Sequence, residues 1–427
     1  MSRFKRAFKW MFIGVGILVG LALIANAILA WRANYRLETR LAAIREAGDP
    51  ASVDDIVKQL PAPELNGAVL LKQFEADLNA LESRQSAFLD TPLGKAFIEA
   101  DDQGKLPTPE QAEAIEAILT SFPTIQHLIE RILACPHFDM PIDSAFSMQQ
   151  LLEDARRIRL IARFLGWKAA VLAANGKHEE AIRNGILLLR FTHQAQNSAS
   201  IVGYLTAVAS RGLAIEKINQ SLRVGPIPTE LHIALEKELA LQDDPQRLVR
   251  VLKTERAIST TLANSMAMEF SPQGTRWLMR GWQSDVLDYF ANLISLADRP
   301  WYQAHSQIHQ GSSAAGKADP MVALLTPAMQ AVYQASNRDT AMIRSLRILN
   351  AFCEYAQKNG QQADGLENLA VSEPEMLDPF SGKPLRLKTT KDGWVIYSIM
   401  DNAKDDDGNF IDYADWGLAP SGYPRSP

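Results

Sequence analysis

From Trp10 to Trp31 the chain reads WMFIGVGILVGLALIANAILAW, with no charged residue inside it. A helix needs about 20 apolar residues to cross a hydrocarbon core about 30 Å thick. The run therefore predicts a transmembrane helix over 10–31, with Trp10 and Trp31 where amphipathic rings settle at the two interfaces. Beyond Trp31 the continuous apolar pattern gives way to helical spacing. Leu37, Leu41 and Ile44 share one stripe, so the helix is expected to continue to about Ala47, where Gly48-Asp49-Pro50 stops it.

The same periodicity runs through most of the chain. A short helix opens at Ser52 and ends at Pro61 and Pro63, and another is expected from Ala68 to Leu81. Thr108-Pro109-Glu110-Gln111 is a capping box with proline in the first turn. Pro123 divides that helix from one reaching about Ala134. Ser147 to Asn175 reads as a long helix with Leu151, Leu152, Ile158, Ile161, Leu165 and Leu172 on its buried side, ended by Asn175-Gly176. Glu179-Glu180 opens the next. Further helices are predicted at 200–222, 229–242, 245–269, 283–296, 320–336 and 338–358. The segment AAVLAANGKHEEAI is similar to one tetratricopeptide hairpin. No second copy follows at the roughly 34-residue period of such arrays, so an ordinary antiparallel helix pair is expected.

The pattern changes after Asn359-Gly360. Two alternating segments, Leu385–Thr389 and Trp394–Met400, flank Asp392-Gly393 and predict a hairpin. Two strands alone are marginal. The hairpin is therefore expected to lay Trp394, Val395 or Ile396 on the preceding helix around Leu349 and Phe352. The acidic segment DNAKDDDGNFID (401–412) follows, then a tail rich in Gly, Pro and Ser that is expected to fray. The fold class is thus mainly α. An N-terminal transmembrane helix carries a large all-α helical body and a small C-terminal antiparallel β module. The expected division is a basic tail 1–9, the transmembrane helix 10–31, a helical ectodomain 32–359 and the β module with its acidic loop 360–427.

Charge narrows the partners. The 427 residues carry 44 basic against 49 acidic side chains, a net charge of -5. Duplex-binding proteins carry a basic surplus, so nucleic acid is not an expected partner. Arg3, Lys5, Arg6 and Lys9 precede the span and favour a cytoplasmic N-terminus with the body outside, although Arg32, Arg36, Arg40 and Arg45 place positive charge beyond it as well. Ala25-Asn26-Ala27 fits a signal-cleavage site. The apolar run is too long for a signal peptide and continues through Ile28 and Leu29, which favours an anchor. Gly16 and Gly20 form one GxxxG, a spacing that arises easily by chance in such a run. Cys135 and Cys353 are the two cysteines. They make no disulfide framework and no CxxC, and two separate buried thiols are expected in preference to one bridge.

Nucleophile patterns are absent: there is no GxSxG, no SxxK and no Walker A motif. Glu179-Glu180 and Asp243-Asp244 stand at helix starts, where the dipole accounts for them. His305 and His309 lie one helical turn apart and could present two imidazoles to zinc, but no third ligand can be named and a polar helix face is the plainer use. His137, Asp139 and His193 read as structural. Trp277, Trp282, Tyr289, Phe290, Trp301 and Tyr302 form a dense aromatic group, expected in a core rather than a groove. GSSAAGKADP (311–320) is the most flexible-looking interior loop. The acidic segment is the best site candidate. Asp405, Asp407 and Asp412, with Asp401 and Asp406 nearby, offer hard oxygen ligands, and Gly408 allows a sharp turn, which suits calcium. A strict EF-hand loop would need Glu where Asp412 stands, so a solvated acidic loop is the alternative.

The C-terminal stretch from Ser345 to Asp412 also carries a resemblance. A helix leads to Asp378-Pro379-Phe380-Ser381-Gly382-Lys383-Pro384, then to a small sheet with Tyr397-Ser398, then to the Asp401–Gly408 loop. This order resembles the C-terminal part of type II secretion pseudopilins of the major-pilin type, which implies a helix-backed sheet and a calcium loop. The match covers under a fifth of the chain. The Gly-Phe-Thr-Leu-x-Glu processing signal is missing, and about 300 residues separate the span from the module, so a filament subunit is not implied. The whole chain is most similar to large membrane-anchored bacterial proteins of unassigned role that end in such a module. The expected function is a scaffold or interaction module of the bacterial envelope. Its expected partners are the lipid bilayer, through residues 10–31, and another envelope protein. The alternatives are an envelope hydrolase around His305, His309 and the 311–320 loop, or a secretion-associated pseudopilin-like component.

Overall fold

The computed structural model describes residues 2–142, 147–270, 275–307 and 320–424. The first helix, α1 (Ser2–Glu46), is continuous through the apolar run and on past it. It is long and apolar enough to cross a membrane. Trp10, Ile17, Leu18 and Leu23 stand exposed along the run, so the body does not cover it there. Gly48, at φ +77°, ends the helix in the left-handed region that glycine tolerates.

Short helices follow: α2 (Val53–Val57), α3 (Gly67–Gln73), α4 (Glu75–Leu89), α5 (Pro92–Asp102), α6 (Pro109–Thr120) and α7 (Pro123–Ala134). The predicted capping box at Thr108 forms, with both reciprocal bonds to Gln111. The helix expected over Ala68–Leu81 is broken at Phe74 (φ -103°, ψ 21°), whose ring lies under the Arg131 guanidinium. The end of α4 beyond Leu81 lies outside the expected helix, because α4 shows little amphipathic contrast along its length; α5 was not expected either, although it is amphipathic and capped by Thr91.

Long helices form the rest of the body: α8 (Met148–Ala174), α9 (His178–Ala195), α10 (Ile201–Leu222), α11 (Thr229–Gln242), α12 (Arg247–Phe270), α13 (Arg276–Ala297) and α14 (Pro320–Asn359). Residues 301–307 are helical too. Leu165 is fully buried, but Leu172 is half-buried and Leu152, expected inside, is 53 % exposed. The helices expected at 320–336 and 338–358 are one. No Gly or Pro stands between Pro327 and Asn359, and Asn337 donates its side-chain amide to the Tyr333 carbonyl within the helix instead of ending it. The 283–296 helix begins seven residues earlier, at Arg276, where its first turns pack against α1.

The C-terminal module is a three-stranded antiparallel sheet in the order β1 (Arg386–Thr390), β2 (Gly393–Ser398), β3 (Trp416–Leu418). The third strand was not expected from the sequence; three residues are too few for alternation to register. Trp394 and Ile396 turn to one face and join the main core with Leu349 and Phe352 of α14, as expected. Val395, Tyr397 and Ile399 turn to the other, where Phe410 and Ala419 cover them. The module therefore shares the large core formed by α3 to α11 and α14. A second core gathers Tyr204, Phe290, Trp301, Tyr333 and Phe380.

Candidate functional site

The acidic loop runs from Met400 to Asp415 beside the sheet. Phe410, 2 % exposed, plugs it under β2. Met400, Ala403, Asp407, Asp412 and Tyr413 all take positive φ, between 55° and 59°, a conformation uncommon outside glycine. Asp405 accepts a hydrogen bond from the Tyr397 hydroxyl at 3.0 Å and from the Asp407 amide at 3.1 Å, and faces Arg386 Nε at 3.6 Å. Asp407 pairs with Lys388 Nζ at 2.8 Å, a contact that raises the lysine pKa. Asp406 pairs with Lys404, and Asp401 accepts from Gln334 of α14 at 2.6 Å. Asp412 is exposed at one of the left-handed positions. The expected calcium set Asp405, Asp407 and Asp412 is thus not gathered around a common point. Among the described residues no three His, Cys, Asp or Glu side chains form a metal-holding group.

One carboxylate beside the loop lies outside that expected set. Asp415 is fully buried and accepts from the Gly408 amide at 2.9 Å, while its Oδ1 has no hydrogen-bond partner. Burial, opposed by the Gly408 amide and reinforced by the charges of Asp405 and Asp406, pushes its pKa up to about 6. Nothing in sequence separates it from its acidic neighbours, since only its burial sets it apart.

Asp378 explains the turn before the sheet. The buried carboxylate accepts from the Phe380 amide at 2.9 Å, the Ser381 hydroxyl at 2.8 Å and the Ser398 hydroxyl at 2.7 Å, tying the turn to β2. Gly382, at φ +68°, lies against the Tyr302 ring, 2.8 Å from where a Cβ would stand. Next to this turn, a cleft of 410 Å³ separates α12 and the 301–307 helix from α14. Two of the arginines in its walls are paired: Arg344 holds Asp243 at 2.9 Å, and Arg247 holds Asp339 at 3.0 Å. A second cleft, of 450 Å³, lies between Arg223, Phe352, Cys353 and Trp394. Cys135 and Cys353 are free thiols, each half-buried rather than fully buried. Of the aromatic group expected in a core, Phe290 and Trp301 sit in the second core with Tyr289 packed against it, whereas Tyr302 is exposed and Trp277 and Trp282 are only half-buried. His305 lies beside Trp301, ring centroids 6.2 Å apart, while His309 and residues 311–319 are outside the described residues. His137 contributes its backbone to a bridge with Asn66, and His193 bonds Gln196 at 3.1 Å, with burial lowering its pKa.

The polar centre of the body was invisible to pattern reading. Arg211 is fully buried. It donates to Gln242 at 2.8 Å and Gln196 at 2.6 Å, and it pairs with Asp339. Arg247, also buried, donates to the Gln242 carbonyl and to Thr340, each at 2.8 Å. Five helices, α9 to α12 and α14, therefore share one hydrogen-bonded charge network.

The seam between α1 and α13 is the other structured contact of note. From Asn26 to the end of α1 the positions withdrawn from solvent are Asn26, Ala30, Ala33, Asn34, Leu37, Arg40, Leu41 and Ile44, a helical stripe. The Trp277 indole donates to Asn26 Oδ1 at 2.9 Å. Arg36 Nη2 meets Asp285 at 2.6 Å and Asp288 at 2.8 Å, and Arg40 reaches Asp288 with two bonds of 2.5 and 2.7 Å. The Arg40 hydrogen bond, outweighing partial burial and joined by Arg36, holds Asp288 below the usual carboxylate range. Because 26 meets 277, 36 meets 285 and 40 meets 288, the two helices run parallel and in step. Comparison with protein families, with curated proteins and with solved structures finds no match to this chain.

Proposed function

We propose that this protein is a single-pass membrane protein of the cell envelope, with a cytoplasmic N-terminus, whose helical body is held rigidly at the outer face of the bilayer as a scaffold for another envelope protein. The α1–α13 seam carries this reading. A tether needs only a flexible linker after its span. Here the spanning helix enters the body without a break, and its last five turns are clamped by apolar packing and by three ion pairs of Arg36 and Arg40 with Asp285 and Asp288. The arrangement fixes the orientation of the body relative to the membrane, which a scaffold requires. The charged residues Arg247, Arg344 and Asp243 lining the 410 Å³ cleft are paired within the protein, in keeping with a structural rather than a catalytic role. The basic residues ahead of the span favour the cytoplasmic placement of the N-terminus.

The test is a reporter active only outside the cytoplasm, fused after Pro427. Signal in the membrane fraction with full-length protein is expected, together with a specific protein cross-linked to the body in intact cells. A soluble product beginning at Ile28 would overturn the anchor, and signal only from a cytoplasmic reporter would overturn the orientation.

A further inference from the structure

We infer that the start of α13 is a second membrane element: its first two turns, Arg276 to Trp282, lie in the bilayer interface beside α1 and contact lipid. The inference rests on the anchoring proposed above and deepens it. Its basis is depth. With Trp10 at the inner interface, Asn26 lies 16 residues on, about 24 Å at 1.5 Å per residue, short of the roughly 30 Å hydrocarbon thickness. With Trp31 at the outer interface, Asn26 lies five residues, about 7.5 Å, below it. Counted from either tryptophan, the side chain that accepts the Trp277 hydrogen bond is inside the slab. Trp277 must then be there too, and by the parallel register of the seam Trp282 is level with Trp31.

The side chains suit that position. Asn26 is the one strongly polar residue of the apolar run, and an unsatisfied amide in hydrocarbon is costly. The Trp277 indole satisfies its oxygen and offers lipid the amphipathic ring enriched at interfaces. Leu278 is 40 % exposed and points away from the protein at this level. Arg276 and Arg280, both half-buried, have stems long enough to lift their guanidinium groups to phosphate oxygens. Further along α13 the character reverses: Asp285 and Asp288 face Arg36 and Arg40 above Trp31, where water is available. Apolar and basic below, acidic above, the helix changes composition at the height where the bilayer ends.

The test is the depth of a nitroxide in the full-length chain, reconstituted in vesicles of phosphatidylcholine and phosphatidylglycerol. In a Cys135→Ser, Cys353→Ser background, single labels go on Leu278→Cys, on Leu18→Cys in the span and on Ala291→Cys, exposed farther along α13. Oxygen reaches labels in lipid and a soluble nickel chelate reaches labels in water. The expected result is a Leu278 label several-fold more accessible to oxygen than to nickel, like that at Leu18, with Ala291 reversed. A Leu278 label that behaves like Ala291 while Leu18 still reports lipid would overturn this inference and leave the anchor intact. Water accessibility at Leu18 as well would overturn both.

Discussion

The Trp394 indole lies stacked on the Phe352 ring, centroids 5.0 Å apart and planes 23° from parallel. This contact fastens the hairpin of the C-terminal module to α14. Phe352 is 4 % exposed, whereas Trp394 is half-buried at the edge of a cleft. Trp394→Ala is therefore expected to cost about 2–3 kcal/mol, somewhat under the range for a fully buried aromatic, and Phe352→Ala about 3–5 kcal/mol. A double-mutant cycle on urea unfolding should show a coupling of about 0.5–1.5 kcal/mol. Strict additivity would mean that the rings do not stack in solution.

Asp339 is the anionic member of the buried network that holds Arg211 and Arg247. Removing it leaves two buried cations with neutral partners alone. Asp339→Ala should destabilise the body by about 3–5 kcal/mol, the usual cost of breaking a buried ion pair from one side. Adding Arg211→Met to Asp339→Ala should recover part of the loss, since one of the two stranded charges is then gone. If the double variant unfolded at lower urea than the single, the network would be held by geometry and not by charge balance.

Asp415 gives the C-terminal module a pH dependence of definite sign. Its folded pKa is raised to about 6, above the ordinary 3.8, chiefly by burial. Between those values the folded state holds a proton that the unfolded chain has released. Stability therefore falls as pH rises from about 4 to about 6, and the full penalty remains above that. Asp415→Asn keeps an oxygen for the Gly408 amide and carries no charge. The variant should gain in melting temperature relative to the parent at pH 7, and the gain should vanish near pH 4. Parallel curves for the two proteins would show that Asp415 is solvated in the folded state.

The expected calcium ligands show how far composition can lead. Asp405, Asp407 and Asp412 were legible as a dense acidic loop, but ligand sets require convergence, and the sheet supplies Arg386 and Lys388 as partners to the first two. Asp415, a buried carboxylate whose Oδ1 has no hydrogen-bond partner, lies just beyond the dense acidic run 401–412. Its distinction comes from the strands and Phe410 packed around it, which no local pattern encodes.

By itself the sequence determined the long apolar helix, the helical character of the body, the capping box at Thr108 and the hairpin turn at Asp392-Gly393. These depend on interactions within a few residues, or on a run of apolar side chains, so spacing is enough to specify them. Only the tertiary structure decided which polar groups meet. Arg211 and Asp339 are 128 residues apart, and Asn26 and Trp277 are 251 apart. Helical periodicity states which face of a helix is buried and is silent about what buries it. Partner and register are chosen when all the helices pack at once, and Asn26, the lone amide of an apolar run, acquires its meaning from the one tryptophan that packing brings beside it.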